Sequence, residues 1–323
     1  IMVYNKYIGI IGGTGTIGSI IVKYLLQLQT HFHVLIGGRR SIKEISMSTF
    51  YNSERLKYNQ MNYNNDVELD NFCSQCLLVI NAVGPSFKIN DKIALHALRN
   101  NCHYIDIGGY GILRDLLKPY EKSIEAQKLC FIIGVGWMPG ISGVFSKTII
   151  ETHLNSPENT NFNIYYGAVD NWSYSSTYDL AASSMGKTRS YVYSHGKEIQ
   201  VSPFRYTHHK FFPFIGHKKI CMPSFDEQLT QLATSLKQIR KISTFIMLND
   251  YISMGKFMFI KIFYKHNLNK ATLMLQDDYQ RLVKKENKWG SVICQVSKIE
   301  PERKIDTFYL SLIHISEPTR HLR

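Results

Sequence analysis

Lys6–Gly18 (KYIGIIGGTGTIG) decides the fold. Lys6–Ile11 is a short apolar run ending in glycine, the pattern of a strand buried on both faces of a parallel sheet. Gly12–Gly18 follows, and holds both G-x-G-x-x-G (Gly13, Gly15, Gly18) and the wider G-x-x-G-x-x-G (Gly12, Gly15, Gly18). Ile17, Ile20, Ile21, Tyr24, Leu25 and Leu28 then recur at helical spacing. One glycine permits the tight turn, a second lets the backbone approach a pyrophosphate, and a third lets the helix pack closely on the strand. The helix start offers N–H groups and the positive end of its dipole to the phosphates. Strand, turn and helix in this order predict that Gly12, Gly13, Thr14, Gly15, Thr16, Ile17 and Gly18 cradle a dinucleotide.

His33–Ile36 (HVLI) reads as the second strand and ends in Gly37-Gly38-Arg39-Arg40. About 20 residues past the glycine turn, NAD enzymes place a carboxylate for the ribose 2′-hydroxyl. Here there is no acid. A guanidinium binds a 2′-phosphate through paired hydrogen bonds where an acid would repel it, so Arg39 and Arg40 predict NADP.

Tyr58–Tyr63 reads as a third strand, Cys76–Val83 (CLLVINAV) as a fourth, His103–Ile107 (HYIDI) as a fifth and Cys130–Val135 (CFIIGV) as a sixth. Helices are predicted around Ile93–Leu98, over 112–128, and from Pro139-Gly140, with the proline in the first turn. Repeated βα units imply an α/β fold, a doubly wound Rossmann sheet over residues 1–150, with its site at the carboxyl ends of the strands.

The motifs continue in a recognisable order: the glycine loop, the Gly-Arg after the second strand, the N-x-V-G-P loop (Asn81–Pro85), Arg99-Asn100-Asn101-Cys102, His103-Tyr104-Ile105-Asp106, and GxGxxPG (Gly134–Gly140). Over 6–150 this series resembles the NADP-binding domain of the saccharopine dehydrogenase family. The resemblance implies that Gly12, Gly15 and Gly18 contact pyrophosphate, Arg39 the 2′-phosphate, and Ala82, Val83, Gly84 and Pro85 the nicotinamide side. It places Asp106, in the family's Y-[VI]-D segment, in the cleft between domains. Relatives acting on amino-acid adducts often carry an acid just before Pro-Gly. Here Trp137-Met138 stands there, which puts a free amino-acid head group in doubt.

From Glu151 the βα rhythm stops. Phe162–Val169, Tyr191–Val201 (a hairpin with a His-Gly-Lys turn), Phe211–Ile215, Ile239–Leu248, Trp289–Val296 and Lys304–Tyr309 read as strands, and Tyr251–Lys285 as largely helical. A second α+β domain with an antiparallel sheet is predicted over 151–309. By analogy with such reductases it supplies the substrate cover and the surface of a homodimer. Leu310–Arg320 (LSLIHISEPTR) reads as a translated sequencing-library adapter, so 310–323 is set aside and the natural chain is expected to continue past Tyr309.

The net charge of +13 comes from scattered Lys and Arg with no basic, aromatic-interleaved face, which argues against nucleic acid. No apolar run approaches the ~18–20 residues of a membrane span. Six cysteines without a disulfide pattern fit a cytoplasmic setting. Three other motifs are weak. Ala181–Thr188 (AASSMGKT) meets the loose phosphate-loop pattern but follows a polar stretch rather than a buried strand. Cys73-x-x-Cys76 lacks further zinc ligands, and His195, His208, His209 and His217 have no metal spacing, so no metal site is expected.

The reading these features support is hydride transfer between NADP(H) and a C=N or C=O group of a small metabolite. Asp106, Tyr110 and His103, at or near the end of the fifth strand, are the candidates for handling the proton. The alternatives are a non-catalytic NADP-binding sensor using the same cradle, and a scaffold whose second domain binds a protein.

Overall fold

The computed structural model describes residues 6–28, 31–41, 53–108, 111–154, 157–186, 190–298 and 305–311. They fall into two compact units that divide at Pro139/Gly140. The first holds β1 (Tyr7–Ile11), α1 (Thr16–Gln27), β2 (Val34–Gly38), β3 (Leu56–Gln60), α2 (Asp66–Cys73), β4 (Cys76–Asn81), α3 (Ser86–Ile89), α4 (Lys92–Arg99), β5 (His103–Asp106), α5 (Gly111–Leu117), α6 (Glu121–Ala126) and β6 (Phe131–Ile132). The strands form one parallel sheet in the order β3-β2-β1-β4-β5-β6. Ile10, Val22, Val34, Ile36 and Ile80 pack on one face, beside α1. Leu69, Phe72, Val79, Ile93, Ala97 and Tyr104 pack on the other, beside α2 and α4. The sheet is therefore doubly wound, and its order reverses between β1 and β4, where such sheets open a crevice at the strand ends.

The second unit holds α7 (Ile141–His153), β7 (Thr160–Val169), α8 (Tyr174–Gly186), β8 (Ser190–Ser194), β9 (Lys197–Val201), α9 (Pro203–Tyr206), β10 (His208–Phe212), β11 (His217–Pro223), α10 (Glu227–Ser235), β12 (Lys241–Leu248), α11 (Tyr251–Phe263), α12 (Leu268–Val283), β13 (Trp289–Lys298) and β14 (Ile305–Ser311). Its sheet runs β10-β11-β12-β7-β13-β14, with β8 on β12 and β9 on β8. The predicted α+β domain is present, but its sheet is mixed: β12 lies parallel to β7. The long connection through α8 and the β8–β9 hairpin permits that crossover, which a tight turn would not. Within the hairpin, His195 (φ 49°) and Gly196 (φ 74°) form the two-residue turn between Ser194 and Lys197. Two consecutive positive φ angles match the strand twist there.

Several elements and boundaries differ from the sequence expectation, the helices α2, α8 and α10 among them. The helix α7, counted with the first domain up to residue 150, belongs to the second unit. Ser146 meets Cys294 of β13 at 3.6 Å, and the Gly140 N–H donates to Gln228 Oε1 at 2.9 Å. Pro139 is outside the helix, because Gly140 at φ 130° is the cap and α7 begins at Ile141. β11 was not anticipated: it opens with His217, Lys218 and Lys219, which mask its pattern. Lys219 is fully buried there, bonded to Asn249 and Glu286 at 2.6 and 2.9 Å. Leu310 and Ser311 of the set-aside tail extend β14 opposite Val292 and Ser291, and 312–323 lie outside the described residues. Among the described residues no helix is long and apolar enough to cross a membrane.

One ion pair in this unit sets an acid limit. Asp250 caps α11 by accepting from the Ser253 N–H at 2.8 Å, and Arg281 of α12 grips its two oxygens at 2.7 and 3.0 Å. Burial alone would raise its pKa. The Arg281 and Ser253 hydrogen bonds outweigh that and hold it at about 2. A depressed folded pKa contributes stability above the ordinary aspartate value, and that stability is lost as pH falls from about 4 toward 2. Arg281→Gln is expected to move acid unfolding to higher pH, read by circular dichroism across pH 2–6. An unchanged midpoint would show that the pair contributes nothing.

Candidate active site

The turn after β1 is built around positions where a side chain does not fit. Gly12 has φ +84°, and a Cβ there would lie 2.9 Å from the Ala82 carbonyl. A Cβ at Gly18 would lie 2.2 Å from the Gly12 oxygen and 2.8 Å from the Gly13 Cα. The first turn of α1 thus rests directly on the glycine turn. The Gly12 N–H donates to the Gly37 carbonyl at 2.8 Å, and the Gly15 N–H to the Gly12 carbonyl at 2.9 Å. Gly15 is the cap of α1 and supplies no side-chain acceptor, and the first turn carries no acid. Gly15, Thr16 and Ile17 are exposed and Thr14 is partly so, while Gly13 is buried against Ile36. The first-turn N–H groups have no partner within their helix and face an open mouth with a positive dipole end, so the site suits an anion.

Beside this mouth the 38–40 loop is splinted by β3. The Tyr58 hydroxyl donates to the carbonyls of Gly38 and Arg40, at 2.9 and 2.5 Å, and Gln60 Nε2 donates to that of Arg39 at 3.3 Å. Arg40 Nη2 reaches across to the Thr14 carbonyl at 2.9 Å. Both arginines are exposed. The resemblance singled out Arg39, but the side chain brought to the glycine turn is that of Arg40.

At the ends of β4 and β5 a polar network forms. Asn81 and Asp106 are register partners on neighbouring strands, and both are buried. Asn81 Nδ2 donates to Asp106 Oδ2 at 2.8 Å, and the Tyr104 hydroxyl donates to the same oxygen at 2.6 Å. Tyr104 and Asp106 share a face because they are two residues apart on one strand. Burial, with the Asp106 carboxyl beside it, pushes the Tyr104 hydroxyl well above its usual range. Asn81 Oδ1 accepts from the Val83 N–H at 3.0 Å, and so also shapes the Ala82-Val83-Gly84-Pro85 loop. Ala82 N–H is tied to the Ile11 carbonyl at 2.9 Å, which sets that loop on the glycine turn. A small cleft, open to solvent, adjoins the network, lined by Asn81, Ser86, Phe87, Ile89, Asp106 and Ile112 among others.

His103 is not part of this site. It opens β5, about 10 Å from Asp106 at ~3.3 Å per residue, at the opposite end of the strand. Its Nδ1 accepts from the Cys130 N–H at 3.0 Å, a packing role. Tyr110 lies outside the described residues. Sequence reasoning missed Tyr58, Gln60 and Tyr104. The Tyr104–Asp106 spacing was its one available signal.

Residues 8–130 match the family model of the saccharopine dehydrogenase NADP binding domain. The match lies within the first unit and does not extend into the second. That stretch is similar to an NADP-binding dehydrogenase domain. A comparison with curated protein sequences returned no match. Among solved structures, the chain is similar to apo saccharopine dehydrogenase (L-Glu forming) from Saccharomyces cerevisiae. The TM-score is 0.62 at 14% identity, over 95% of this chain and 85% of that one, a likeness of fold. A probable dehydrogenase from Thermotoga maritima aligns at TM-score 0.48 and 10% identity, over 93% of this chain and 74% of that one.

The first unit fits a dinucleotide on its own geometry: Cβ atoms at 12 or 18 would jam the turn, and the helix mouth is open. Its three buried cysteines, Cys73, Cys76 and Cys102, are structural. Cys73 and Cys76 are buried, and burial pushes both thiols far up, as it pushes Cys102 to about 11. Cys102 Sγ donates to the Cys73 and Cys76 carbonyls at 3.1 and 3.2 Å. Outside this domain, Ala181–Gly186 is the end of α8, so no strand–loop–helix phosphate site forms there, and Lys187 and Thr188 lie outside the described residues. His195 sits in the hairpin turn, His217 is exposed, His208 bonds the Tyr206 carbonyl and His209 the Tyr251 hydroxyl. No group of three metal-ligating side chains occurs among the described residues.

Proposed function

We propose that the protein is an NADP-dependent oxidoreductase acting on a C=N or C=O group, or the corresponding amine or alcohol, of a small metabolite. The observation that carries this reading is the open mouth of α1 with Arg40 anchored on Thr14. Backbone N–H groups of the Gly12–Gly18 turn would hold the diphosphate, and Arg39 and Arg40 the 2′-phosphate. The 82–85 loop would flank the nicotinamide half. When bound, the nicotinamide donates or accepts the hydride. Asp106 is buried, gripped by two donors, and lines the adjoining cleft. A carboxyl held so firmly is positioned to take or deliver the substrate proton. Phe87, Ile89 and Ile112 give the cleft wall an apolar lining.

Titration of the full chain with NADPH and with NADH tests the cofactor assignment. NADPH is expected to bind at least about tenfold tighter, from the charge-assisted pairing of guanidinium with phosphate. Arg40→Asp should erase or reverse that preference, and Arg39→Asp should reduce it. Equal binding of both cofactors, or none, sinks the assignment. NADPH binding without turnover on a broad panel of imines and ketones would instead favour the sensor reading.

A further inference from the structure

The helix α11 is apolar on both sides. Its inner arc, Ser253, Phe257 and Ile260, is buried, and Phe257 and Ile260 pack against Ala271 and Leu275 of α12 and Ile220 and Leu248 of the sheet. The opposite arc is apolar too: Tyr251 is 65% exposed, Ile252 51%, Ile262 64% and Phe263 66%, with Phe259 half-exposed and its ring tilted against that of Phe263, centroids 4.5 Å apart. Gly255, on the same arc, meets nothing within 4 Å. A surface helix normally sets polar residues outward, and an apolar outer face marks a docking surface.

Charge identifies the occupant. From Tyr251 to Gln276 there is no Asp or Glu, while Lys256, Lys261, Lys265 and Lys270 and His266 stand there. Lys256 is tied to Asp277 at 2.8 Å, and Lys261 lies over the Phe257 ring at 5.0 Å. Lys265, His266 and Lys270 are exposed around the α11–α12 turn, next to Ile262 and Phe263. Aromatic and branched apolar side chains flanked by lysines are the features of a helix lying in an anionic bilayer surface, with its apolar side chains at the headgroup–acyl boundary. A second copy fits less well: face to face, it would set this acid-free lysine set against itself.

We propose that the outer arc of α11 and the α11–α12 turn form a peripheral membrane-binding surface for anionic lipid. It adds to the cofactor site and does not depend on it. The test is co-sedimentation of the full chain with phosphatidylcholine vesicles, with and without roughly 30 mol% phosphatidylserine. Binding is expected to rise at least about tenfold with the anionic lipid and to fall as salt is raised. The double variant Ile262→Ser/Phe263→Ser should lose at least about tenfold, and so should Lys265→Glu/Lys270→Glu, with melting temperature and NADPH affinity unchanged. Wild-type protein left in the supernatant overturns the proposal, as does equal binding to both vesicle types. If the serine variant converts a dimer to a monomer without altering lipid binding, the face belongs to a second copy and the membrane assignment falls.

Discussion

Gly18→Ala should abolish NADPH binding, by about 100-fold or more, and lower the melting temperature of the first unit. A Cβ at this position would sit 2.2 Å from the Gly12 oxygen, against the backbone of Gly12 and Gly13. No rotamer relieves the clash, so α1 must move outward by about 1 Å. Overpacking of this kind costs about 3 kcal/mol, near the upper end of its usual range, and about 100-fold in an equilibrium constant corresponds to the same energy. The displaced N–H groups also lose their aim at the diphosphate. Two controls separate this effect from a general intolerance of alanine. At Gly15 a Cβ would lie 3.2 Å from the Gly12 oxygen, so Gly15→Ala should weaken binding by less than tenfold. Gly255 in α11 has nothing within 4 Å, and Gly255→Ala should raise stability by about 0.5–1 kcal/mol. NADPH titration and thermal melts of the three variants measure all of this. A Gly18→Ala protein that binds NADPH like the wild type would show that the diphosphate does not rest on this turn.

Asp106 offers the second large effect, and two substitutions divide its roles. Asp106→Ala strips the acceptor from the Tyr104 hydroxyl and from Asn81 Nδ2, both buried. Leaving two buried donors unsatisfied costs about 2–5 kcal/mol, which a denaturant melt will read. Asp106→Asn keeps the shape and one acceptor oxygen but removes the carboxyl. It should cost about 1 kcal/mol in stability, leave NADPH affinity within about threefold, and lower turnover about 100-fold, the low end for a positioned acid or base. A merely structural Asp106 would show the stability loss alone. With the substrate found by the imine and ketone panel, the pH profile of kcat/KM decides between them. If Asp106 handles the proton, the limb it controls vanishes in Asp106→Asn. A limb that survives assigns the proton to another group.

The sequence alone determined the local machinery. A buried strand, a glycine turn and a helix lie within Lys6–Leu28, and the order of their side chains is enough to predict the diphosphate cradle proposed above. The absence of an acid after β2 was equally legible, since it concerns composition over a few residues. The Y-x-D spacing carried the signal that Tyr104 shares one side of a strand with Asp106, since alternation has a period of two, but only Asp106 was read from it.

Tertiary structure decided what depends on neighbours distant in sequence. Whether Arg39 or Arg40 turns toward Thr14 is set by Tyr58 and Gln60, which arrive on β3 and hold the loop's carbonyls. Asn81 meets Asp106 only because β4 and β5 pair in that register. His103 belongs to the same short strand as Asp106, yet lies at its far end, since a parallel sheet gathers chemistry at one end of its strands only. The parallel β12–β7 pairing and the buried Lys219 follow the same rule: a charged strand is tolerated inside where Glu286 and Asn249 meet its ammonium. Local pattern sets which elements form, and pairing register sets which side chains meet, because each contact joins groups that chain spacing leaves independent.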